Sequence, residues 1–85
     1  MDMAKALLAL ADYAKPDPTF APIKDQGTTR WHATVQGREF ELLLTGSKFW
    51  DTRSEIGGGG AVDLSMHLFR SDFKTAIGTL RKKGL

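Results

Sequence analysis

Two stretches of alternating residues joined by a glycine turn constrain this chain more than anything else in it. In Arg30-Trp31-His32-Ala33-Thr34-Val35, apolar Trp31, Ala33 and Val35 alternate with Arg30, His32 and Thr34. A period of two makes a strand with one buried and one polar face. Gln36-Gly37 follows as a two-residue hairpin turn, with glycine where a positive φ is wanted. Arg38 to Thr45 then returns as a second strand, placing Phe40, Leu42 and Leu44 opposite Glu39, Glu41 and Leu43. Leu43 breaks the alternation, so the outer face of this strand is expected to be partly covered. Gly46-Ser47 makes another turn, and Lys48-Phe49-Trp50-Asp51 reads as a short third strand. The expected core of the sheet is an antiparallel meander.

The flanks supply the rest of the architecture. Asp2 to Ala14 reads as a helix with Asp2 as N-cap and with Leu7, Leu8, Leu10, Ala11 and Ala14 on its apolar face. Pro16 and Pro18 are expected to end it. Thr19 to Lys24 reads as either a short edge strand or an extended loop, since Pro22 forbids a central strand. The Phe20 region is thus the candidate fourth strand, and Asp25-Gln26-Gly27 reads as a turn. Thr52 to Gly60 reads as a loop ending in four glycines, and Ala61 to Phe69 as a helix. Ser71 is the expected N-cap of a last helix, in which Phe73, Ala76, Ile77 and Leu80 form a stripe to be buried. The expected fold class is α+β: a small antiparallel sheet of three to four strands, packed against two C-terminal helices, plus an N-terminal helix. With 85 residues, positions 1–85 are expected to form a single domain.

Composition excludes several chemistries. There is no cysteine, so disulfides, thiolate zinc sites, iron–sulfur clusters and thiol catalysis are ruled out. No apolar run approaches the ~20 residues of a membrane-spanning helix. Asp2 comes early and no small-residue cleavage site follows, so the start does not read as a signal peptide and the expected compartment is cytoplasmic. His32 and His67 are the only imidazoles, and their spacing argues for no metal site. No nucleophile motif is present, and the chain reads as a non-enzyme without cofactors.

The net charge of +2 is layered along the sequence. Up to Thr45 there are five basic and six acidic residues, and from Gly46 onward seven basic and four acidic. The excess is a mild bias toward a polyanion. Strand parity puts Lys48 and Trp50 opposite Phe49, so with Phe49 in the core Trp50 is exposed beside lysine, with Arg53 following. Exposed aromatics among cations suit single-stranded nucleic acid, because bases stack on the ring while phosphates meet the charges. Arg30 and His32 extend that surface. Arg30, His32, Lys48, Trp50 and Arg53 are therefore the candidate nucleic-acid-binding residues. Gly58, Gly59 and Gly60, ahead of a helix, are candidate phosphate contacts through their bare amides, although neither a P-loop nor a dinucleotide fingerprint is present. The competing reading of these glycines is a close approach of helix and sheet backbones.

Phe49-Trp50-Asp51, the run from Gly57 through Val62-Asp63-Leu64-Ser65-Met66-His67-Leu68, and Asp72-Phe73-Lys74-Thr75-Ala76-Ile77 with Leu80 resemble the N-terminal zinc-binding domain of bacterial and phage DNA primases. In that family an aromatic strand leads through a zinc knuckle to a glycine-rich turn, a helix and a closing Phe-x-x-Ala helix. Gly58 to Met66 and Asp72 to Leu80 carry the likeness. The metal ligands do not carry over: Asp51 to Ile56 stand where the knuckle cysteines belong. The resemblance implies a zinc-less relative, of the kind found in primase-like proteins of mobile elements, that holds single-stranded DNA weakly beside a neighbouring catalytic domain or protein. The alternative is a protein-interaction or regulatory module that kept the fold and lost nucleic acid. Without zinc, Trp31, Phe40, Leu42, Leu44 and Phe49 packed on Phe73, Ile77 and Leu80 are expected to stabilise it, at ~1.5–3 kcal/mol per buried side chain.

Overall fold

The long hairpin forms as its pattern requires. In the computed structural model, which describes residues 2–21 and 27–85, Thr28–Val35 (β2) pairs antiparallel with Arg38–Thr45 (β3). Gln36 and Gly37 between them have φ of 52° and 79°, the paired positive values of a two-residue turn matched to strand twist. Lys48–Asp51 (β4) continues the meander after Gly46, whose φ is 57°.

Both outer strands differ from expectation. The N-terminal helix, Met3–Leu10 (α1), stops short of Ala14, and Tyr13–Pro16 (β1) pairs with β2. The Asp12 amide donates to the Thr34 carbonyl and its carboxylate accepts from the Gln36 amide, at 3.0 and 2.8 Å. Those bonds commit the backbone to the sheet before the prolines arrive, and Pro16 ends a strand instead of a helix. An edge strand tolerates proline because its outward amide needs no partner. The fourth strand is Tyr13–Pro16, and Thr19, Phe20 and Ala21 of the expected segment are not in a strand. Residues 22–26, which hold the rest of the expected Thr19–Lys24 segment and most of the Asp25-Gln26-Gly27 turn, lie outside the described residues.

At the other edge, Ile56–Gly59 (β5) pairs with β4 where a loop was expected. Glycine is a poor strand former, and here packing overrides propensity. A Cβ on Gly57 would lie 2.7 Å from Trp50 Cε3, and one on Gly58 would lie 3.0 Å from Phe49 Cε1. The strand forms because two aromatic rings of β4 occupy the space its side chains would need. The sheet is a five-stranded antiparallel meander in the order β1-β2-β3-β4-β5.

One face of the sheet is covered. Trp31, Ala33, Val35, Leu42, Leu44 and Phe49 are buried there with Met3, Ala6, Leu7 and Leu10 of α1 and Leu64 and Leu68 of Gly60–Phe69 (α2). The apolar face of α1 is rotated from the expected one: Met3 and Ala6 are inside and Leu8 is exposed. Phe73–Lys82 (α3) packs chiefly on α2. Its Ala76 and Leu80 are buried, Ile77 is half-buried, and Phe73 is 63% exposed, so the expected burial of Phe73 is corrected. Phe73 is the first helical residue of α3. The cap is Asp72 and not Ser71: its carboxylate accepts from the Thr75 amide at 2.8 Å, which lowers its pKa. Arg70 closes α2 with φ 52°, a left-handed cap position that usually belongs to glycine and costs other residues ~1–2 kcal/mol. Among the described residues, no helix is long and apolar enough to cross a membrane.

Candidate nucleic-acid interface

Register places the expected site on the uncovered face. Trp50 pairs with Leu43 and Gly57, Leu43 with Arg30, Lys48 with Thr45 and Gly59, and His32 with Glu41 and Lys15. All of these point away from the helices, because their chain neighbours Phe49, Leu42, Leu44 and Trp31 are buried. Trp50 is 44% exposed. Its indole rests over Gly57, whose missing side chain makes the seat. Lys48 and Arg53 make no side-chain hydrogen bond or ion pair among the described residues. Arg53, in the turn after β4, lines a shallow hollow of about 130 Å³ with Tyr13, His32, Thr34 and Glu39.

The other side of this face is electrostatically closed. Arg30 Nε and Nη2 donate to Asp17 Oδ2 at 3.0 and 2.7 Å, and Nη1 lies 3.5 Å from Glu41 Oε1. His32 Nε2 lies 3.2 Å from the same Asp17 oxygen. Asp17 Oδ1 accepts from the Thr19 hydroxyl and amide at 2.6 and 2.9 Å. These bonds, those from Thr19 first and then those from Arg30 and His32, hold the Asp17 carboxyl well below its ordinary range. Phe20 caps the group with its ring centroid 5.2 Å from the Arg30 guanidinium. Glu39 is exposed and Glu41 half-buried, so the face carries both signs.

The glycines before α2 are engaged from within. The Gly59 amide donates to Asp63 Oδ2 at 3.2 Å, and the Gly60 amide to the Ser47 carbonyl at 2.8 Å. Gly58 is paired with Phe49. An anion approaching this turn meets a carboxylate already seated at the helix start.

Behind the sheet lies a pair that sequence reasoning did not single out. Asp51 is 2% exposed, and its Oδ2 is 2.6 Å from His67 Nε2. Its Oδ1 accepts from the Arg53 and Ser54 amides at 2.9 and 3.0 Å. Burial alone would raise the Asp51 pKa, but the Ser54, His67 and Arg53 bonds together outweigh it and lower it. The His67 ring is packed between Phe40 and Phe49, with centroids 5.8 and 5.5 Å away. Strand parity was the available signal, since Asp51 follows Phe49 by two and must face inward with it. The pair pins the Arg53-bearing turn to α2. His32 and His67 lie on opposite faces of the sheet, and among the described residues no three potential metal ligands converge.

No family model matches the chain, and no solved structure matches it. A curated relative, the 65 kDa protein of Zymomonas mobilis subsp. mobilis, is 42% identical over 41 residues. The match covers 48% of this chain and 7% of the relative, so the chain spans only a small part of that protein's length.

Proposed function

We propose that this chain is a non-enzymatic module that binds single-stranded nucleic acid weakly through the corner of the open sheet face around Trp50. The observation that carries this reading is a half-exposed indole, seated on Gly57 and next to Lys48 on the same face of β4, with Lys48 and Arg53 free of side-chain hydrogen bonds and ion pairs among the described residues. A base stacks on the ring while Lys48 and Arg53 meet flanking phosphates. Arg30 and His32 contribute less than the sequence suggested, because Asp17 already holds them. The resemblance to primase zinc-binding domains supports a role beside a catalytic domain in the replication or transfer of a mobile element. The short match inside a much longer relative is consistent with a unit used as part of larger proteins. In this reading the aromatic packing of β4 on β5, with the Asp51–His67 pair, holds the turn that a zinc knuckle would otherwise fix.

The test is titration of a fluorescently labelled single-stranded oligonucleotide at low salt. The expected result is binding that weakens as salt rises and is reduced by both Trp50→Ala and Lys48→Glu. Absence of binding at high micromolar protein, or binding indifferent to both substitutions, would overturn it.

A further inference from the structure

The open face of the sheet carries a second exposed aromatic ring. Tyr13 pairs with Thr34, and Thr34 with Glu39. All three share the face that holds Trp50, because their chain neighbours Ala14, Ala33 and Phe40 pack into the core. Tyr13 is 59% exposed, more open than Trp50. The two rings are separated by three strand spacings across the sheet and four residues along it, a diagonal of about 20 Å. That is too far for one base and within the reach of one extended strand.

Tyr13, Glu39 and Arg53 line the same hollow of about 130 Å³. Glu39 and Arg53 are both exposed and opposite in charge, yet no ion pair joins them, and neither has a side-chain hydrogen bond or ion pair among the described residues. Elsewhere on this face opposite charges close on each other, as Arg30 and His32 do on Asp17. A carboxylate repels phosphate and aids nucleic-acid binding only where it accepts from a base edge. An aromatic ring, an unused guanidinium and an unused carboxylate around one hollow match a ligand with a flat ring, an anion and N–H donors. A nucleotide has all three.

We propose that the hollow takes a guanine of the bound single strand, with the base stacked on Tyr13, its Watson–Crick edge on the Glu39 carboxylate and its phosphate on Arg53. Single-stranded bases are commonly read this way, stacked on aromatic rings and hydrogen-bonded at their exposed edges. The choice of base follows from the order of its donors. Guanine offers two adjacent donors, N1–H and the 2-amino group, one for each carboxylate oxygen. Adenine and cytosine place an acceptor nitrogen beside the amino group, and thymine sets its single N–H between two carbonyls. Each of these leaves a carboxylate oxygen facing a lone pair. The inference rests on the single-strand reading of the Trp50 corner and adds to it a second stacking position and a base preference.

The experiment compares a twelve-residue oligothymidylate with the same strand carrying separated guanines, by fluorescence anisotropy at low salt on the full chain and its variants. The guanine-bearing strand should bind about tenfold tighter, the discrimination of one bidentate base contact. Glu39→Gln should remove that preference while binding oligothymidylate as well as the parent or better, since a negative charge is gone. Tyr13→Ala should weaken the guanine-bearing strand about tenfold with an unchanged melting temperature, and Trp50→Ala should weaken both strands alike. Equal affinity for the two strands, a preference that survives Glu39→Gln, or indifference to Tyr13→Ala would each overturn this inference and leave the Trp50 corner standing. Binding to neither strand would overturn both readings. Guanosine monophosphate that competes as well as the guanine-bearing strand would also overturn the inference, in favour of a free-nucleotide site.

Discussion

The two corners of the open sheet face have similar sequence content and opposite availability. At the β1–β2 corner, Arg30 and His32 share the Asp17 carboxylate, and Phe20 stacks on the arginine. At the β4 corner, Lys48 and Trp50 face outward, Lys48 without a partner among the described residues, while Arg53, also without one there, reaches back toward His32 and Glu39. A positive side chain on a strand is a binding determinant only if the fold leaves it unspent. Asp17 is fifteen positions from His32 and thirteen from Arg30, so no local pattern announces the neutralisation. The Lys-Pro-Asp-Pro turn that looked like a helix stop is the element that brings it there.

The comparison breaks most directly at Trp50. Trp50→Ala should weaken oligonucleotide binding by about one to two orders of magnitude, given ~1–3 kcal/mol per stacked base, as read by fluorescence anisotropy. An unchanged affinity would remove the distinction between the corners. Gly57→Ala should destabilise the protein by ~1–3 kcal/mol in urea unfolding, because the new methyl displaces the indole. It should also lower oligonucleotide affinity. Lys48→Gln should make the log–log salt dependence of binding shallower by about 0.7, the value of one phosphate contact on a single strand. Arg30→Gln should leave that slope nearly unchanged, whereas Asp17→Asn should steepen it by releasing Arg30. The smallest effect is in pH. The folded Asp17 carboxyl lies below its ordinary 3.8, so its contribution to stability is complete at neutral pH and drains away as pH falls below that value. Acid unfolding of Asp17→Asn, followed by circular dichroism, should therefore be less steep below pH ~4 than that of the parent.

Much of the fold was readable because it is written in local periodicity. The β2–β3 hairpin, β4 and the existence of the three helices follow spacing rules, though not the buried face of α1, and parity alone placed Lys48 and Trp50 outside with Phe49 inside. What escaped is written in contacts between distant residues. β5 has almost no side chains, so its pairing depends on rings supplied by Trp50 and Phe49 of the preceding strand. β1 depends on Asp12 reaching the far end of the hairpin at Gln36. Phe73 looked buried because its stripe is apolar, but α3 packs chiefly on α2 and leaves its first residue exposed while Ala76 and Leu80 are covered. The cationic half of the site was legible as composition, while its division into spent and available charges was not.

Because each strand neighbours only its predecessor and successor, the topology has a kinetic signature. Residues 36–37, 46–47 and 52–55 close three successive hairpins over very short loops, whereas β1 ends at Pro16 and its partner β2 begins only at Thr28. Such low contact order favours rapid assembly for a sheet protein. Local closure first predicts that β2 to β5 pair before β1 docks. Pulse-labelled amide exchange during refolding should therefore protect Phe40 and Leu42 earlier than Tyr13.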